Sequence, residues 1–248
     1  MAQPLISCIV PVYNGVRYLA EALSSIEAQT YRPLEIVIVD DGSVDGTREL
    51  VASCGYNIQY YWQANAGPAS ACNHGLRVSQ GELVAFLEQD DLWHPEKLER
   101  QWARFQVWPK LDLCVTHIQN FWVPELSQEE EHFRGHRRAG PVPGYVTQTL
   151  LARRAAFQKF GVFNPTLRFS HATDWFLRTN EQGAISELLP DVLVYRRLHE
   201  VNVSRNQGHA SRDEYLHLLK TTLDRKRERR PARVLSNSTI PQFLPRRP

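Results

Sequence analysis

Leu83-Val84-Ala85-Phe86-Leu87-Glu88-Gln89-Asp90-Asp91 sets an unbroken apolar run against a cluster of acids. A second stretch repeats the pattern, with Ile36-Val37-Ile38-Val39 running into Asp40-Asp41. Apolar runs of this length suit strands buried on both faces, as in a parallel sheet covered by helices. Open sheets of that class take ligands in the crevice beyond the strand carboxyl ends. Carboxylates gathered at one rim repel each other unless something positive sits among them. A divalent cation carrying a phosphorylated ligand meets that need, because hard cations prefer oxygen ligands.

Outward from these runs the chain alternates strand and helix patterns. Leu5 to Val10 reads as a strand stopped by Pro11 and the turn-prone Asn14-Gly15. Leu19, Leu23 and Ile26 mark one face of a helix over about residues 16–29. A strand over 34–39, a helix ending near Cys54 with Gly55 as its cap, and an aromatic-rich strand over 57–62 follow. Pro68 opens a helix to Val78, and Pro95 another with Leu98, Trp102 and Phe105 on one stripe. Such alternation argues for βαβ units and a parallel sheet.

Past residue 110 the pattern loosens. Leu111 to Val115 and Val192 to Leu198 read as strands, Asp174 to Asn180 as a short helix, and Gln128 to Arg138 as an exposed loop. The polar connection over about residues 120–145 has the length of a lid. Ser211 and Glu214 form a capping box before a helix carrying Leu216, Leu219 and Leu223. The expected division is one domain over 1–205, with a nucleotide-binding half to about 110 and an acceptor half after it. A C-terminal helix over 206–230 and a flexible tail over 231–248 complete it.

The 248 residues allow a substantial core, and 42% hydrophobic with 23% charged residues is ordinary for a globular protein. A net charge of +2 gives no argument for nucleic acid as a partner. Cys8, Cys54, Cys72 and Cys114 are scattered without a CxxC pair, so a reduced, cytoplasmic protein is the expectation. No signal-peptide pattern opens the sequence, and no apolar run approaches the roughly 20 residues of a membrane span. The basic residues Arg225 to Arg230 read as a solvated helix end, or as a means of peripheral membrane contact.

Each motif has a chemical and a plain reading. Asp90 and Asp91 suit Mn²⁺ or Mg²⁺ on a nucleotide diphosphate, with Glu88 helping through water, or else an Asp caps the helix at Pro95. Asp40 and Asp41 suit contacts to ribose or base, or a simple turn. Asp174, among aromatic neighbours, suits a general base or a helix N-cap. His199 suits a metal ligand or a structural role. Neither G-x-G-x-x-G nor G-x-x-x-x-G-K-[ST] occurs, which weighs against dehydrogenases and P-loop enzymes.

Taken in order, these motifs resemble those of the family-2 glycosyltransferases. The resemblance runs from Ser7-Cys8-Ile9-Val10-Pro11-Val12-Tyr13-Asn14 to Ser204. It implies a GT-A-type α/β fold, a mixed, mainly parallel sheet flanked by helices. It also implies inverting, Mn²⁺- or Mg²⁺-dependent transfer of a sugar from a nucleotide-sugar donor, UDP-linked, to an acceptor hydroxyl. The acceptor could be a glycan, a lipid-linked sugar, a small molecule or a peptide. By resemblance, Pro11, Tyr13, Asp40, Asp41, Asn65, Gly67, Asn73 and Asp90 hold the donor. Asp90, Asp91 and His199 hold the metal, and Asp174 is the base. Glu88, Trp93, Trp175, Arg178 and Arg196 support the site or the acceptor. Three departures stand out: Glu88 for the usual Asp, Thr173 for the Glu of a Glu-Asp pair, and Cys72 where Arg commonly precedes Asn73. A non-catalytic nucleotide-sugar binder of the same fold and a metal-dependent nucleotidyltransferase are the alternatives.

Overall fold

The computed structural model describes residues 3–137, 139–202 and 207–228. β1 (Ile6–Val12), β2 (Leu34–Asp40), β3 (Ile58–Trp62) and β4 (Leu83–Phe86) form a parallel block in the order β3-β2-β1-β4. The helices α1 (Leu19–Glu27), α2 (Thr47–Ser53) and α3 (Pro68–Val78) make the crossovers. β5 (Leu92–Trp93) and α4 (Lys97–Val107) follow the acidic cluster.

The second half extends the same sheet with mixed polarity. β8 (Leu151–Arg153) lies antiparallel between β4 and β6 (Leu113–Trp122). β9 (Ser186–Leu198) runs parallel to β6 and carries β5 at its far edge, while β7 (Val142–Pro143) pairs with β6. α5 (Ser127–His132), α6 (Arg154–Phe160), α7 (His171–Glu181) and α8 (Gly208–Glu228) are the remaining helices among the described residues. The fold is thus the mixed, mainly parallel sheet flanked by helices that the sequence implies. None of these helices is long and apolar enough to cross a membrane.

Strand alternation builds two cores. Ile6, Cys8, Val10, Ile36 and Ile38 pack with Leu19, Leu23 and Ile26 of α1 and with Leu98 and Phe105 of α4. Ile9, Val37 and Val39 point to the other face, against Ala69, Cys72 and Leu76 of α3, Phe157 of α6 and Trp175 of α7. Burial of each such aliphatic side chain is worth about 1.5–3 kcal/mol. α3 crosses β1 so closely that a Cβ on Gly75 would lie 2.3 Å from Ile9 Cγ2, a contact only glycine allows.

Several local expectations are corrected. β1 does not stop before Pro11: it continues through Pro11, opposite Val39, to Val12. The β1–β4 ladder ends at Ile9, so a residue without an N–H is accommodated beyond it. Residues 127–132 form α5 rather than loop, with Phe133 stacked on Trp122. The first residues of the expected lid, up to Trp122, belong to β6 and pair with β9. Leu216 and Leu223 of α8 are exposed, and the buried stripe is Leu218 and Thr222.

The capping box is also absent. Ser211 lies inside α8, and the Glu214 carboxylate instead accepts the backbone N–H groups of Arg168, Phe169 and Ser170, at 2.9, 2.9 and 2.6 Å. Those donors hold its pKa below the ordinary carboxylate range despite partial burial. The charge thus sits at the head of α7, where the helix dipole favours an anion. The expected tail over 231–248 and Ser204 lie outside the described residues.

Candidate active site

The carboxyl ends of β1, β2 and β4 converge, as parallel strands in one register must, and bring three loops together. Gln89 ties the first to the third: its Oε1 accepts Tyr13 N–H at 2.7 Å and its Nε2 donates to the Tyr13 carbonyl at 3.1 Å. Tyr13 is left half exposed, its ring free to meet a ligand. Asn14, with φ of 50°, adopts the left-handed turn that its side chain tolerates, and its Oδ1 accepts Val44 N–H.

Asp40 and Asp41 are buried and engaged. Asp40 accepts Ser43 N–H at 2.7 Å and the Tyr60 hydroxyl at 2.5 Å. Asp41 accepts Gln63 Nε2, Ala66 N–H and Gly67 N–H at 2.7–2.8 Å. It therefore shapes the turn into α3, with Asn65 left exposed beside it and Gly67 at φ of 91°. Asn73 spends its amide on Phe163, donating to the carbonyl at 2.8 Å and accepting the N–H at 3.0 Å. Pro11 is buried inside β1. Of the residues expected to touch the donor, Tyr13 and Asn65 present side chains to solvent, whereas Pro11 and Asn73 support the backbone.

Around the acidic cluster, β9 supplies the counter-charges. Asp90 Oδ2 accepts His199 Nε2 at 2.9 Å and Asn202 Nδ2 at 3.2 Å. Asn202 Oδ1 accepts the His199 backbone N–H at 2.6 Å, which locks that corner. His199 lies against Tyr18 with ring centroids 4.8 Å apart. Arg197 donates through Nε to the Asp90 carbonyl and through Nη2 to Glu21, while its guanidinium sits between the rings of Tyr18 and Phe121. It is a buried clamp. Arg196, its neighbour, supplies the positive charge felt by Glu88 and Asp91.

A short turn over 147–149 clasps the cluster from the opposite side. Thr147 Oγ1 donates to Glu88 at 3.0 Å, and Gln148 Nε2 donates to Asp91 at 2.9 Å. Asp91 also accepts Arg197 N–H at 3.0 Å, so both its oxygens are used and it is almost wholly buried. Burial, with the nearby Asp90 charge second, raises the pKa of Asp91 well above the ordinary carboxylate range and pushes Glu88 up to about 7. Trp93 is buried, donates through Nε1 to the Gln148 carbonyl, and stacks under Lys97 Nζ at 4.2 Å. Neither aspartate caps α4, whose N-cap is Glu96.

On α7, Asp174 is not an N-cap; the helix begins at His171 with Ser170 as its cap. Its Oδ2 accepts Arg178 Nε at 2.7 Å, one turn on. Arg178 also donates to the carbonyls of Phe160 and Val162 at 2.9 and 2.8 Å, fixing the chain before α7. Trp175 is fully buried and stacked on Phe157 at 4.7 Å, so no acceptor reaches it. Burial pushes His171 down to about 4, and neither ring nitrogen has a partner among the described residues.

Thr147, Gln148 and Glu21 were invisible as site residues in the sequence, where they belong to no spaced motif, and Gln89, though inside the acidic motif, had no role assigned to it. The described residues hold no group of three or more His, Cys, Asp and Glu side chains that would cage a metal. Asp90 and His199 do form an oxygen–nitrogen pair facing each other. Such a pair suits a cation that takes its other ligands from a diphosphate and water.

A family model described as "Glycosyl transferase family 2" matches residues 7–174, more than half of the chain. An uncharacterized glycosyltransferase of Rickettsia typhi, RT0329, is 32% identical over 220 residues, covering 82% of this chain and 68% of that protein. Among solved structures, S. aureus TarS 1-349 in complex with UDP-GlcNAc aligns with a TM-score of 0.69 at 21% identity over 88% of this chain. Mannosyltransferase PcManGT from Pyrobaculum calidifontis, in complex with GDP-Man and Mn²⁺, aligns with a TM-score of 0.67 at 21% identity over 92%. The chain spans 65% of each of those two solved chains.

Proposed function

Because the chain belongs to glycosyl transferase family 2, we propose that it transfers a sugar from a UDP-linked donor to an acceptor hydroxyl with inversion, assisted by Mn²⁺ or Mg²⁺. The observation that carries this is the meeting of Asp90, His199 and Asn202 beside exposed Tyr13 at the strand carboxyl ends. Tyr13 stacks on the base, and the Asn65 turn, held by Asp41, borders the ribose. Asp90 and His199 hold the cation, whose chemistry is Lewis-acid stabilisation of the departing diphosphate. Arg196 adds a positive charge on the same side, and Asp91 orients β9 rather than binding the cation.

Asp174 accepts the proton of the acceptor hydroxyl as it attacks from the face opposite the leaving nucleotide. Arg178 fixes the carboxylate in one orientation. The low exposure of Asp174 favours a second reading, in which it only anchors Arg178 and the chain over 160–162. Hydrolysis and transfer assays with a UDP-sugar panel and Mn²⁺ decide. The expected result is UDP release by the wild type, lost in Asp90→Asn and reduced at least ~100-fold in Asp174→Asn, as removal of a general base predicts. Release of pyrophosphate would identify a nucleotidyltransferase, and UDP-sugar binding without turnover a non-catalytic binder.

A further inference from the structure

A second concavity, about 450 Å³, shares no residue with the cluster around Asp90. Its volume falls within the roughly 300–1,000 Å³ of ligand sites. Tyr145, Phe176 and Tyr215 supply aromatic surface, and Thr173, Asn180 and Ser186 supply hydroxyl and amide groups. Tyr145 stands edge-on to Phe176 at 5.6 Å and is 50% exposed; Tyr215, on α8, is 43% exposed. Among the described residues, no Asp, Glu, Lys, Arg or His lines the groove.

That lining selects among ligands. A phosphate, carboxylate or nucleic acid strand calls for charged partners, and none lines the groove among the described residues. A purely apolar chain would leave the hydroxyls and the amide unpaired. Sugar rings present C–H faces that lie on aromatic rings, and edges of hydroxyls that pair with short neutral donors and acceptors. Two residues of the lining stand close in sequence to residues of the transfer site. Tyr145 lies two residues before Thr147, which bonds Glu88, and Thr173 directly precedes Asp174.

We infer that this groove holds a neutral saccharide chain of the acceptor, with Tyr145 and Tyr215 against sugar rings and Thr173, Asn180 and Ser186 bonded to hydroxyls. The inference rests on the transferase reading for its biological meaning, but its test does not. Saturation-transfer NMR on the full chain would use chitotetraose, mannotetraose and cellotetraose as neutral probes and trigalacturonate as an anionic one. At least one neutral probe should bind, with affinity reduced at least fivefold in both Tyr145→Ala and Tyr215→Ala. Asn180→Asp, at an exposed position that tolerates a charge in the fold, should weaken it similarly. No saccharide signal from the wild type, a signal untouched by all three substitutions, or trigalacturonate as the preferred probe would overturn it. UDP-sugar turnover measured in parallel reports on the transferase reading alone, so the two fail separately.

Discussion

Gln148 Nε2 donates to Asp91 Oδ2 at 2.9 Å, joining a turn of the second half of the chain to the acidic cluster of the first. With Arg197 N–H on the other oxygen, the bond completes the partners of a carboxylate that is only 2% exposed. Gln148→Ala leaves a buried acceptor unpaired, which costs about 1–3 kcal/mol. Chemical denaturation should show that loss, and Gln148→Glu should cost more by placing a second carboxylate beside the first. Stability equal to wild type in both would mean that the contact contributes nothing.

Asp90 and His199 are expected to act together. Asp90→Asn should abolish Mn²⁺-enhanced UDP binding measured by calorimetry, and His199→Ala should weaken it at least ~10-fold, the scale on which perturbing a ligand sphere acts. UDP affinity that is independent of Mn²⁺ in the wild type would remove the cation from the mechanism.

The pair of Asp174 and Arg178 separates chemistry from scaffolding. Asp174→Asn keeps an oxygen for Arg178 to bond, so stability should change by less than about 1.5 kcal/mol, the size of one hydrogen bond. Arg178→Ala strands a carboxylate that is 5% exposed and should cost about 3 kcal/mol. Thermal unfolding of both variants, set beside their turnover, tells whether Asp174 does more than hold Arg178.

Lys97 should give stability a distinctive pH dependence. Its ammonium is wholly buried, with Gln101 Oε1 at 2.8 Å, and burial pushes it down to about 7. Between about pH 7 and 10 the unfolded chain keeps a proton that the folded chain has released, so stability rises with pH there. Below about 7 both states carry it, and the cost of a buried charge is fully present. Lys97→Met should flatten the rise, seen as a wild-type-minus-variant difference in unfolding free energy that increases, in favour of the wild type, from pH 6 to pH 9.5.

Thiol reactivity offers a simple check of the core. Burial pushes Cys8 and Cys114 up to about 12 and Cys72 well above its ordinary value, whereas Cys54 is part-exposed. Titration of the folded protein with a chromogenic disulfide should modify Cys54 alone. Fast reaction of all four cysteines would contradict the packing of β1, α3 and β6.

The parallel half was legible because its signals are local. Apolar runs such as Ile36 to Val39 place strands, and Pro68 and Gly55 mark helix ends wherever the rest of the chain lies. The same holds for the acids at the strand ends, since topology alone brings Asp40 and Asp90 to one rim. β5, β7 and β8 span only two or three residues each, too few to show a period. Glu214 fitted a capping box by spacing, yet its carboxylate was taken by three N–H groups more than forty residues away.

Sequence by itself determined the βαβ order, the two-sided burial of the central strands and the acids at their carboxyl ends, because neighbours along the chain set these. Tertiary structure alone decided which distant polar groups those acids meet: Gln148 for Asp91, and His199 and Asn202 for Asp90. A buried carboxylate must find donors, and the nearest donors come from whichever strand or turn the sheet order delivers to it.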